Sequence, residues 1–453
     1  MDLKGKRITV AGLGRSGFAA AGFLKDMGCD VWVTDSSSGG EIDERAAALK
    51  ERGVNVELGG HSKRFISSSD MLVVSPGVGD ESAPIRMAKE AAIPIIGEIE
   101  LGYLFCKAPI IAITGTNGKS TTTSLIGHIL KEAGKNVSVS GNIGIPFTGE
   151  VASYKDDTVA VLEISSFQLE YTRSFRPKIS LILNITDDHI DRHGSMEEYS
   201  DKKKKIFENQ GEGDTAVLNY DDAGVRPLAD ECNCDVLYFS RMTKVKGAYV
   251  DGMHIYYDAG EAPEKVMHIK DIGLAGEHNT ENVLAAVIAA RCFGVAPDTI
   301  RKAVSGFKGL AHRCEYVDTV NGIDFVDDSK GTNVDATVRA IGSYAKPIVL
   351  IAGGRDKDSD FTAADGIVCK KVVHVVLIGE AKDRIAESIS PSVKKSKADS
   401  LRGAVRMAFE SAAKGDMVLL SPMCSSFDMF RDYKDRGDQF KALVKELKDG
   451  GKE

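Results

Sequence analysis

The sequence lacks any apolar run close to the roughly 20 residues that a bilayer-spanning helix needs. Its first residues, Met1 to Gly14, have the pattern of a β-strand that runs into a glycine turn, not that of a signal peptide. These two absences exclude an obvious membrane anchor or export signal. We therefore expect a cytoplasmic protein that does not associate with a membrane.

An excess of positive charge is also absent. The 453 residues include 58 Lys and Arg against 66 Asp and Glu, which gives a formal net charge of -8. Such a chain offers no broad positive field to a polyanion, so we expect no nucleic-acid partner. Any anionic ligand must be held by local donors, and the expected partners are small molecules.

Cysteine is sparse and shows no metal-binding pattern. The eight cysteines are scattered, with one C-x-C pair at Cys232 and Cys234 and no repeated ligand spacing. We expect reduced thiols rather than a disulfide framework. Low-complexity tracts and repeats of about 20 to 50 residues are missing too, which excludes a solenoid.

What is present is an alternation of short apolar strands and helical patterns, and this alternation predicts an α/β protein. With 43% hydrophobic and 27% charged residues over 453 positions, the chain is an ordinary soluble protein that is too long for one core. We predict three domains. They are a Rossmann-like domain at 1–97, a central P-loop-type ATP-binding domain at 98–309 and a Rossmann-like α/β domain at 310–453.

The strongest single pattern is the stretch 110–134, IIAITGTNGKSTTTSLIGHILKEAG. A β-branched run ends in a glycine loop, and Leu125, Ile126, Ile129 and Leu130 then mark an amphipathic helix that closes at Gly134. In such a loop backbone N–H groups and the helix dipole favour a polyphosphate, a lysine adds positive charge and hydroxyls bind Mg²⁺. The predicted ATP-binding residues are Gly115, Thr116, Asn117, Gly118, Lys119, Ser120 and Thr121.

This loop departs from the full P-loop pattern because Ile113 stands where the first glycine is expected. The loop is therefore shorter than usual. The alternative interpretation is a tight turn that carries a surface lysine.

The first segment contains a second glycine motif, Gly12-x-Gly14-x-x-Gly17, between a strand and a helical pattern. Asp35, at the end of the next strand, stands where a ribose-binding carboxylate is expected. The motif predicts a bound nucleotide diphosphate. It also leaves open a nicotinamide-dependent oxidoreductase.

Two polar side chains lie at the ends of apolar strands of the second segment: Glu163 belongs to the run AVLEISS, and His189 follows LILNITDD. Ligands sit at the carboxyl ends of parallel strands, so both side chains could converge on a cation beside Ser120. A structural hydrogen bond is the alternative for each. The lysine run 202–205 has the pattern of a solvated helix face, and Asn279 is either a nucleotide-facing residue or a helix N-cap.

Taken together, the motifs resemble the Mur ligase family over nearly the whole chain. The resemblance is carried by GLGRSG (12–17), SPG (75–77), ITGTNGKST (113–121), GNIG (141–144), LEISSFQLE (162–170), NITDDHIDRHG (184–194), GEHNTEN (276–282), HRCE (312–315), DDSKGTN (327–333) and SPMCSSFD (421–428). The GTNGKST loop is shared with folylpolyglutamate synthases. The SSFQLE and DSKGTN segments favour the D-glutamate-adding branch of the family.

The resemblance implies an ATP-dependent amide ligase that adds D-glutamate to UDP-N-acetylmuramoyl-L-alanine during peptidoglycan precursor synthesis. It implies an acyl-phosphate intermediate, closure of the domains and two Mg²⁺ ions, with Mn²⁺ as a substitute. We expect a monomer. Another Mur-type or folylpolyglutamate-type ligase is the alternative.

The resemblance also assigns roles to individual residues. The UDP substrate would contact Gly14, Arg15, Ser16, Asp35 and Ser36. The reacting groups would be aligned by Lys119, Asn142, His189 and Lys203. Metal would be held by Ser120, Thr121, Glu163, His189 and a carbamylated Lys203. The nucleotide would also meet Asn279, Arg313 and Asp328. D-glutamate would be held by Lys330, Thr332, Lys357, Ser426 and Tyr433.

Two rivals of other classes remain at this stage. A nicotinamide oxidoreductase explains the first glycine motif but leaves the second unexplained. A non-enzymatic P-loop switch or scaffold that senses ATP explains the second loop, and stoichiometric phosphate release only when both substrates are present would exclude it.

Overall fold

The computed structural model describes residues 2–186, 195–260, 262–274, 276–356 and 359–450. Three sheets, largely parallel and flanked by helices, make up the fold. The predicted α/β fold class is confirmed.

The first sheet is entirely parallel, with strand order β3-β2-β1-β4-β5. Its strands are β1 (Arg7–Ala11), β2 (Asp30–Asp35), β3 (Asn55–Leu58), β4 (Met71–Val74) and β5 (Ile95–Gly97). Its helices are α1 (Arg15–Asp26), α2 (Gly40–Glu51), α3 (Lys63–Ile66), α4 (Ala83–Glu90) and α5 (Glu98–Phe105). Strand order reverses between β1 and β4, and ligands of open α/β sheets bind beyond the carboxyl ends of the strands at such a point.

The second sheet has nine strands in the order β14-β13-β12-β11-β10-β9-β6-β8-β7. The strands are β6 (Ile110–Thr114), β7 (Asn136–Gly141), β8 (Thr158–Glu163), β9 (Ile179–Ile182), β10 (Thr215–Asn219), β11 (Asp235–Ser240), β12 (Gly247–Asp251), β13 (His254–Asp258) and β14 (Glu264–His268). The helices that follow in this part of the chain are α6 (Lys119–Glu132), α7 (Phe147–Glu150), α8 (Ser166–Leu169), α9 (Met196–Lys204), α10 (Glu277–Cys292) and α11 (Pro297–Gly306). Short 3₁₀ helices span Val151–Ser153, Arg226–Glu231 and Ile269–Asp271. Only β12, β13 and β14 pair antiparallel, at one edge of the sheet.

The third sheet has the order β15-β16-β20-β17-β18-β19 and is parallel except for the β15–β16 pair. Its strands are β15 (Glu315–Val320), β16 (Ile323–Asp327), β17 (Ile348–Gly353), β18 (Val372–Ile378), β19 (Lys394–Lys397) and β20 (Met417–Leu420). Its helices are α12 (Val334–Gly342), α13 (Asp365–Lys371), α14 (Lys382–Ser388), α15 (Leu401–Ser411) and α16 (Tyr433–Gly450), with a 3₁₀ turn at Phe361–Ala364.

Helix α6 shows how the local pattern fixes an element. Its predicted apolar face, Leu125, Ile126, Ile129 and Leu130, is fully buried. The helix begins after Gly118 and is followed by Gly134, whose φ of 75° lies in the left-handed region that glycine adopts without strain. The predicted strand, loop and helix are therefore confirmed.

Contacts divide the described chain into two compact units. The first unit holds residues 2–185, 195–260, 262–269 and 282–304, and therefore contains the first two sheets. The second unit holds Thr186 and residues 270–274, 276–281, 305–356 and 359–450, with the third sheet. The predicted division into three domains, with boundaries at 97/98 and 309/310, remains a prediction. Within the described residues, no helix is both long and apolar enough to cross a bilayer.

Candidate active site

The glycine loop of the first unit links β6 to α6. Gly115 and Gly118 have φ values of 148° and 83°, which side chains rarely allow. A Cβ on Gly118 would lie 2.4 Å from Oδ1 of Asn282. Glycine is needed in this loop because the backbone has positive φ values and, at Gly118, because a side chain would collide with Asn282. The loop leads directly into the N-terminus of α6, a position that favours a bound anion.

Asn184, just beyond β9, fixes the conformation of the loop. The Asn117 N–H donates to Asn184 Oδ1 at 2.7 Å, and Asn184 Nδ2 donates to the Asn117 carbonyl at 3.1 Å. The Thr116 N–H donates to the Asn184 carbonyl at 3.0 Å. Sequence reasoning missed this residue, although a polar side chain immediately after an apolar strand was the available signal.

Lys119 lies over the loop and not on a solvent-facing turn. Its Nζ donates to the carbonyls of Gly115 and Thr116 at 2.7 and 2.8 Å. The ammonium is thus held next to the backbone that would cradle a phosphate. This geometry favours the phosphate-loop interpretation over the surface-lysine alternative.

Glu163 ends β8, beside Ile113 of β6 and Gly141 of β7. Asn142 Nδ2 donates to Glu163 Oε1 at 2.7 Å, and the Asn142 N–H donates to the Glu163 carbonyl at 2.9 Å. Glu163 Oε2 is buried and has no hydrogen-bond partner among the described residues. A buried carboxylate oxygen without a partner is costly, and a divalent cation would satisfy it.

Ser120 and Thr121, in the first turn of α6, are 6% and 9% exposed. Hydroxyl and carboxylate oxygens are the ligands that Mg²⁺ prefers. The donor set of these two residues with Glu163 therefore fits Mg²⁺.

Lys203 differs from its neighbours in the lysine run. It is only 1% exposed, its Nζ lies 4.1 Å from the Tyr199 ring centroid, and it donates to the Gly115 carbonyl at 3.2 Å. Lys204 instead forms surface ion pairs with Asp201 and Glu231. The solvated-face interpretation is therefore wrong for Lys203, because packing against Tyr199 and the glycine loop buries this side chain alone.

Two predicted site residues, His189 and Lys357, lie outside the described residues. Their roles stay predictions.

A cavity of about 550 Å³ opens beyond the first sheet, within the first unit. It is lined by all five residues predicted to contact the UDP substrate and by Asn142, namely Gly14, Arg15, Ser16, Asp35, Ser36 and Asn142. The cavity therefore brings together side chains from the first glycine motif, the end of β2 and the loop after β7.

Asp35 has a structural role in this wall. Its Oδ2 accepts the Leu13 N–H at 2.5 Å and its Oδ1 accepts the Ser37 N–H at 2.7 Å. The carboxylate thus holds the first glycine turn against the end of β2. Gly17 packs so closely that a Cβ there would lie 1.8 Å from the Gly12 carbonyl oxygen.

In the second unit, Asp328 follows β16 and is buried. Its Oδ2 accepts the Ser421 hydroxyl at 2.7 Å and its Oδ1 accepts the Cys314 N–H at 3.2 Å. Burial raises the pKa of Asp328 to about 7, against the lowering effects of these hydrogen bonds and of the Arg313 charge. Arg313 itself stands between His312 and Cys314, which both have positive φ.

The residues predicted to hold D-glutamate partly converge. Lys330 Nζ lies 4.0 Å from the Tyr433 ring centroid, a cation–π contact. Thr332 is close to Lys330, since its N–H donates to the Lys330 carbonyl at 2.8 Å. Ser426 is 2% exposed and lies on the loop after β20.

Arg436 of α16 joins these two loops and was missed by the sequence analysis. Its guanidinium donates to Ser329 Oγ at 2.9 Å and to the Ser329 carbonyl at 2.8 Å, and it reaches the Cys424 carbonyl at 3.4 Å. It is fully buried, and desolvation lowers its pKa to about 10. Nothing in the local sequence distinguishes this arginine from the charged residues around it.

Asn279 is the third residue of α10, which begins at Glu277, so it is not the N-cap. Its N–H donates to the Gly276 carbonyl at 3.0 Å, and the residue is 7% exposed. Three positions further, Asn282 accepts the Thr122 hydroxyl at 3.1 Å. The N-x-x-N spacing on one helix was the signal for Asn282, which the sequence analysis did not use.

Three protein-family models match successive parts of the chain and together cover most of it. A model of the Mur ligase MurD-like N-terminal domain matches residues 6–97, one of the Mur ligase middle domain matches 113–290, and one of the Mur ligase glutamate ligase domain matches 312–424. The chain belongs to the Mur ligase family. The resemblance predicted from the motifs is confirmed, and the family is ATP-dependent.

Curated relatives cover the whole length of this Mur ligase. It is 46% identical over 448 residues to the UDP-N-acetylmuramoylalanine–D-glutamate ligase of Koribacter versatilis, with 99% of each chain covered. It is 45% identical over 452 residues to the enzyme of the same name from Pelotomaculum thermopropionicum, again with 99% of each chain covered.

Solved structures agree on the fold of this Mur ligase. The UDP-N-acetylmuramate-alanine ligase MurC of Thermotoga maritima superposes with a TM-score of 0.61 at 20% identity, with 97% of this chain and 99% of that chain covered. The MurF ligase of the same organism, solved in complex with ADP, gives 0.60 at 14% identity, with 99% and 96% covered. At these identities the likeness is one of fold.

Proposed function

We propose that this Mur ligase joins D-glutamate to UDP-N-acetylmuramoyl-L-alanine at the expense of ATP, in peptidoglycan precursor synthesis. The observation that carries the proposal is the 46% identity, over 99% of both chains, to a ligase of that name. The phosphate loop and the buried Glu163–Asn142 pair support the reaction type independently.

The chemistry follows from the weakness of a carboxylate as an acyl donor. A carboxylate oxygen of the alanyl group attacks the γ-phosphorus of ATP, the bond to the β-phosphate oxygen breaks, and ADP leaves. The amine of D-glutamate then attacks the acyl carbon, phosphate leaves with the C–O electron pair, and the nitrogen loses a proton. Alignment and charge neutralisation supply most of the rate enhancement in such transfers.

The residues of the first unit have separate tasks in this scheme. The loop backbone and Lys119 bind the β- and γ-phosphates, and Ser120, Thr121 and Glu163 hold Mg²⁺. Bound Mg²⁺ neutralises phosphate charge. Asn142, at the wall of the cavity, orients the substrate carboxylate while its amide holds Glu163 in place.

We extend the remaining predicted roles as part of the same proposal. Arg313, Asn279 and Asp328 contact ATP, and His189 with a carbamylated Lys203 holds a second Mg²⁺. In the second unit the Lys330 ammonium, near Tyr433, pairs with a D-glutamate carboxylate, together with Thr332, Ser426 and Lys357. The protein acts as a cytoplasmic monomer on these small molecules.

An amino-acid panel tests the proposal. The protein is incubated with ATP, Mg²⁺ and UDP-N-acetylmuramoyl-L-alanine, and phosphate release is measured with D-Glu, L-Glu, L-Lys or meso-diaminopimelate. We expect release only with D-Glu, in a one-to-one ratio with the new amide. Preference for another amino acid would overturn the substrate assignment. ATP binding without phosphate release, with any of these amino acids, would point to the non-enzymatic ATP-sensing protein.

A further inference from the structure

Two cysteines of the first unit lie next to each other on the loop between the 3₁₀ helix Arg226–Glu231 and β11. They are Cys232 and Cys234, both partly exposed, and their thiol groups share a side-chain hydrogen bond. Cys232 Sγ also contacts the Leu228 carbonyl oxygen at 3.4 Å, and Cys234 Sγ contacts Gln210 Oε1 at 3.6 Å. The loop therefore holds two sulfur atoms side by side, where a small molecule can reach them.

The backbone between the two cysteines is compatible with a bond between their sulfur atoms. Cα atoms two residues apart on a straight strand are separated by about 6.4 to 6.8 Å, and a disulfide spans about 4.4 to 6.8 Å. The chain bends at Asn233 and Cys234. Because a bend shortens the separation of the flanking Cα atoms, a disulfide can form here without a rearrangement of the neighbouring elements.

The hydrogen bond between the thiols makes the two sulfur atoms unequal. It lowers the pKa of Cys234, with support from the Ala216 N–H and against the effect of partial burial. The same hydrogen bond, together with partial burial, raises the pKa of Cys232. Because the thiolate is the nucleophile, Cys234 is the sulfur that attacks an oxidant, and Cys232 is the thiol that donates a hydrogen bond to it.

The charges around the two cysteines favour an uncharged oxidant. The charged side chains that act most strongly on the two sulfur atoms are the carboxylates of Asp214, Glu231 and Asp235. Like charges repel, so an anionic low-molecular-weight disulfide is disfavoured at this loop. A hydroperoxide is small and carries no charge, and it is therefore the class of oxidant that fits.

We propose that Cys232 and Cys234 are a redox modification site, which a hydroperoxide oxidises to a disulfide and a low-molecular-weight dithiol reduces again. The Cys234 thiolate attacks one peroxide oxygen, the O–O bond breaks, and the other oxygen takes a proton and leaves as an alcohol or as water. This step oxidises Cys234 to a sulfenic acid. The Cys232 sulfur then attacks the sulfenic sulfur and gives up its proton, the S–O bond breaks, and water leaves.

The two steps balance, and reduction reverses them. Two thiols and one peroxide give one disulfide, one water and one molecule of alcohol or, from hydrogen peroxide, a second water. In the reverse direction a thiolate of the dithiol attacks one sulfur of the disulfide, and its second thiol then resolves the mixed disulfide. Both cysteines return to thiols, and the dithiol leaves as a cyclic disulfide.

Oxidation of the full chain by hydrogen peroxide tests the inference. The reduced protein is treated with peroxide, the remaining thiols are alkylated, and the peptides are measured by mass spectrometry. We expect the peptide that carries both cysteines to lose two hydrogens, to escape alkylation and to be alkylated again after treatment with dithiothreitol. Cys369, an exposed cysteine whose sulfur donates to the Asp365 carboxylate at 3.3 Å, is the reference and should react at least about 10-fold more slowly. If Cys232 and Cys234 keep free thiols at a dose that oxidises Cys369, the inference is overturned.

Single serine variants test the separate roles of the two sulfur atoms. In Cys232→Ser the sulfenic acid of Cys234 has no thiol to resolve it, so dimedone, a trap for sulfenic acids, should label Cys234. In Cys234→Ser the label on Cys232 should be at least about 10-fold lower, because this thiol ionises less readily. Cys369→Ser is the matched control and should form the disulfide as the wild-type protein does. Equal labelling of the first two variants would contradict the roles assigned to the two sulfur atoms.

Oxidation of this cysteine pair is independent of the ligase reaction proposed above. Strands β6, β9, β10 and β11 are parallel neighbours, and the phosphate loop follows β6 at their carboxyl ends. Cys234 directly precedes β11 and therefore lies at the amino ends of the same strands. The oxidation experiment needs neither ATP nor a UDP substrate. Its failure would leave the ligase assignment standing, and a failed amino-acid panel would leave the disulfide standing.

Discussion

Asn142 and Glu163 are joined by a hydrogen bond of 2.7 Å between Nδ2 and Oε1. Asn142 also lines the cavity beyond the first sheet, and Glu163 ends a strand that pairs with the strand before the phosphate loop. One amide therefore connects the substrate cavity to the carboxylate that fits Mg²⁺. The second oxygen of Glu163, Oε2, is buried and has no hydrogen-bond partner among the described residues. A substitution that removes the carboxylate charge therefore tests whether Glu163 holds a metal ion.

Glu163→Gln removes the negative charge of the side chain but keeps its size and shape. The new side chain can still accept the Asn142 hydrogen bond, but it cannot neutralise Mg²⁺, so we expect phosphate release to fall at least about 100-fold, as when one transition-state contact is lost. UDP binding should stay unchanged, and the Mg²⁺ concentration for half-maximal rate should rise. Glu132→Gln, on an exposed residue of α6, is the control and should behave as wild type. Normal turnover in Glu163→Gln would show that the carboxylate does not hold the metal.

Lys119→Ala should strongly reduce phosphate release and leave UDP binding largely intact, because the ammonium lies at the glycine loop and not at the cavity. The expected loss is about 100- to 1,000-fold. Lys131→Ala, in the last turn of the same helix, removes an exposed lysine and should change neither quantity. Equal loss of phosphate release and UDP binding would mean that Lys119 stabilises the folded protein and does not bind the phosphates of ATP.

Lys203→Met should remove activity while the protein stays folded, since the methionine fills the buried space beside Tyr199 without a charge. Lys204→Met is the matched control, because Lys204 forms only ion pairs with exposed carboxylates. Phosphate release and the thermal midpoint are measured for both. If the two variants keep equal activity, Lys203 has no role in the reaction. Mass spectrometry of the native protein in bicarbonate buffer then tests whether Lys203 carries the added CO₂.

Asp328 should make the stability of the second unit depend on pH, with a contribution that decreases as the pH rises. Its pKa is raised to about 7 in the folded protein, whereas an unfolded Asp titrates near 4. Between these values the folded state holds a proton that the unfolded state has lost, so the contribution of this group to stability falls as pH rises from about 4 to about 7. Asp328→Asn removes the group, and its thermal midpoint relative to wild type should therefore rise over that interval.

Asp318→Asn is the control for the pH experiment. Asp318 pairs with Lys448, and this hydrogen bond lowers the Asp318 pKa. Its stabilising contribution is complete above the unfolded pKa of about 4 and is lost as pH falls through the lower folded pKa, so the Asp318→Asn midpoint difference should stay constant between pH 4 and 7. A midpoint difference for Asp328→Asn that does not change between pH 4 and 7 would contradict the assigned pKa.

The sequence predicted the elements whose causes are local. The strand, glycine loop and helix at 110–134 follow from a β-branched run, two glycines with positive φ and an apolar face at helical spacing. The family and the α/β class follow from the same short motifs. The five residues predicted around the UDP substrate converge on one cavity because they lie at the carboxyl ends of neighbouring parallel strands, where such side chains must meet.

Only the tertiary structure decided which polar side chains leave the solvent. Lys203 and Lys204 are chemically identical, and Lys203 is buried because the glycine loop, 88 positions earlier, and the Tyr199 ring cover it. Arg436 is buried by loops brought to it by the third sheet. Hydrophobic periodicity is a pattern of residues close together in the sequence. The burial of Lys203 and Arg436 instead depends on residues that are distant in the chain and meet only in the folded protein.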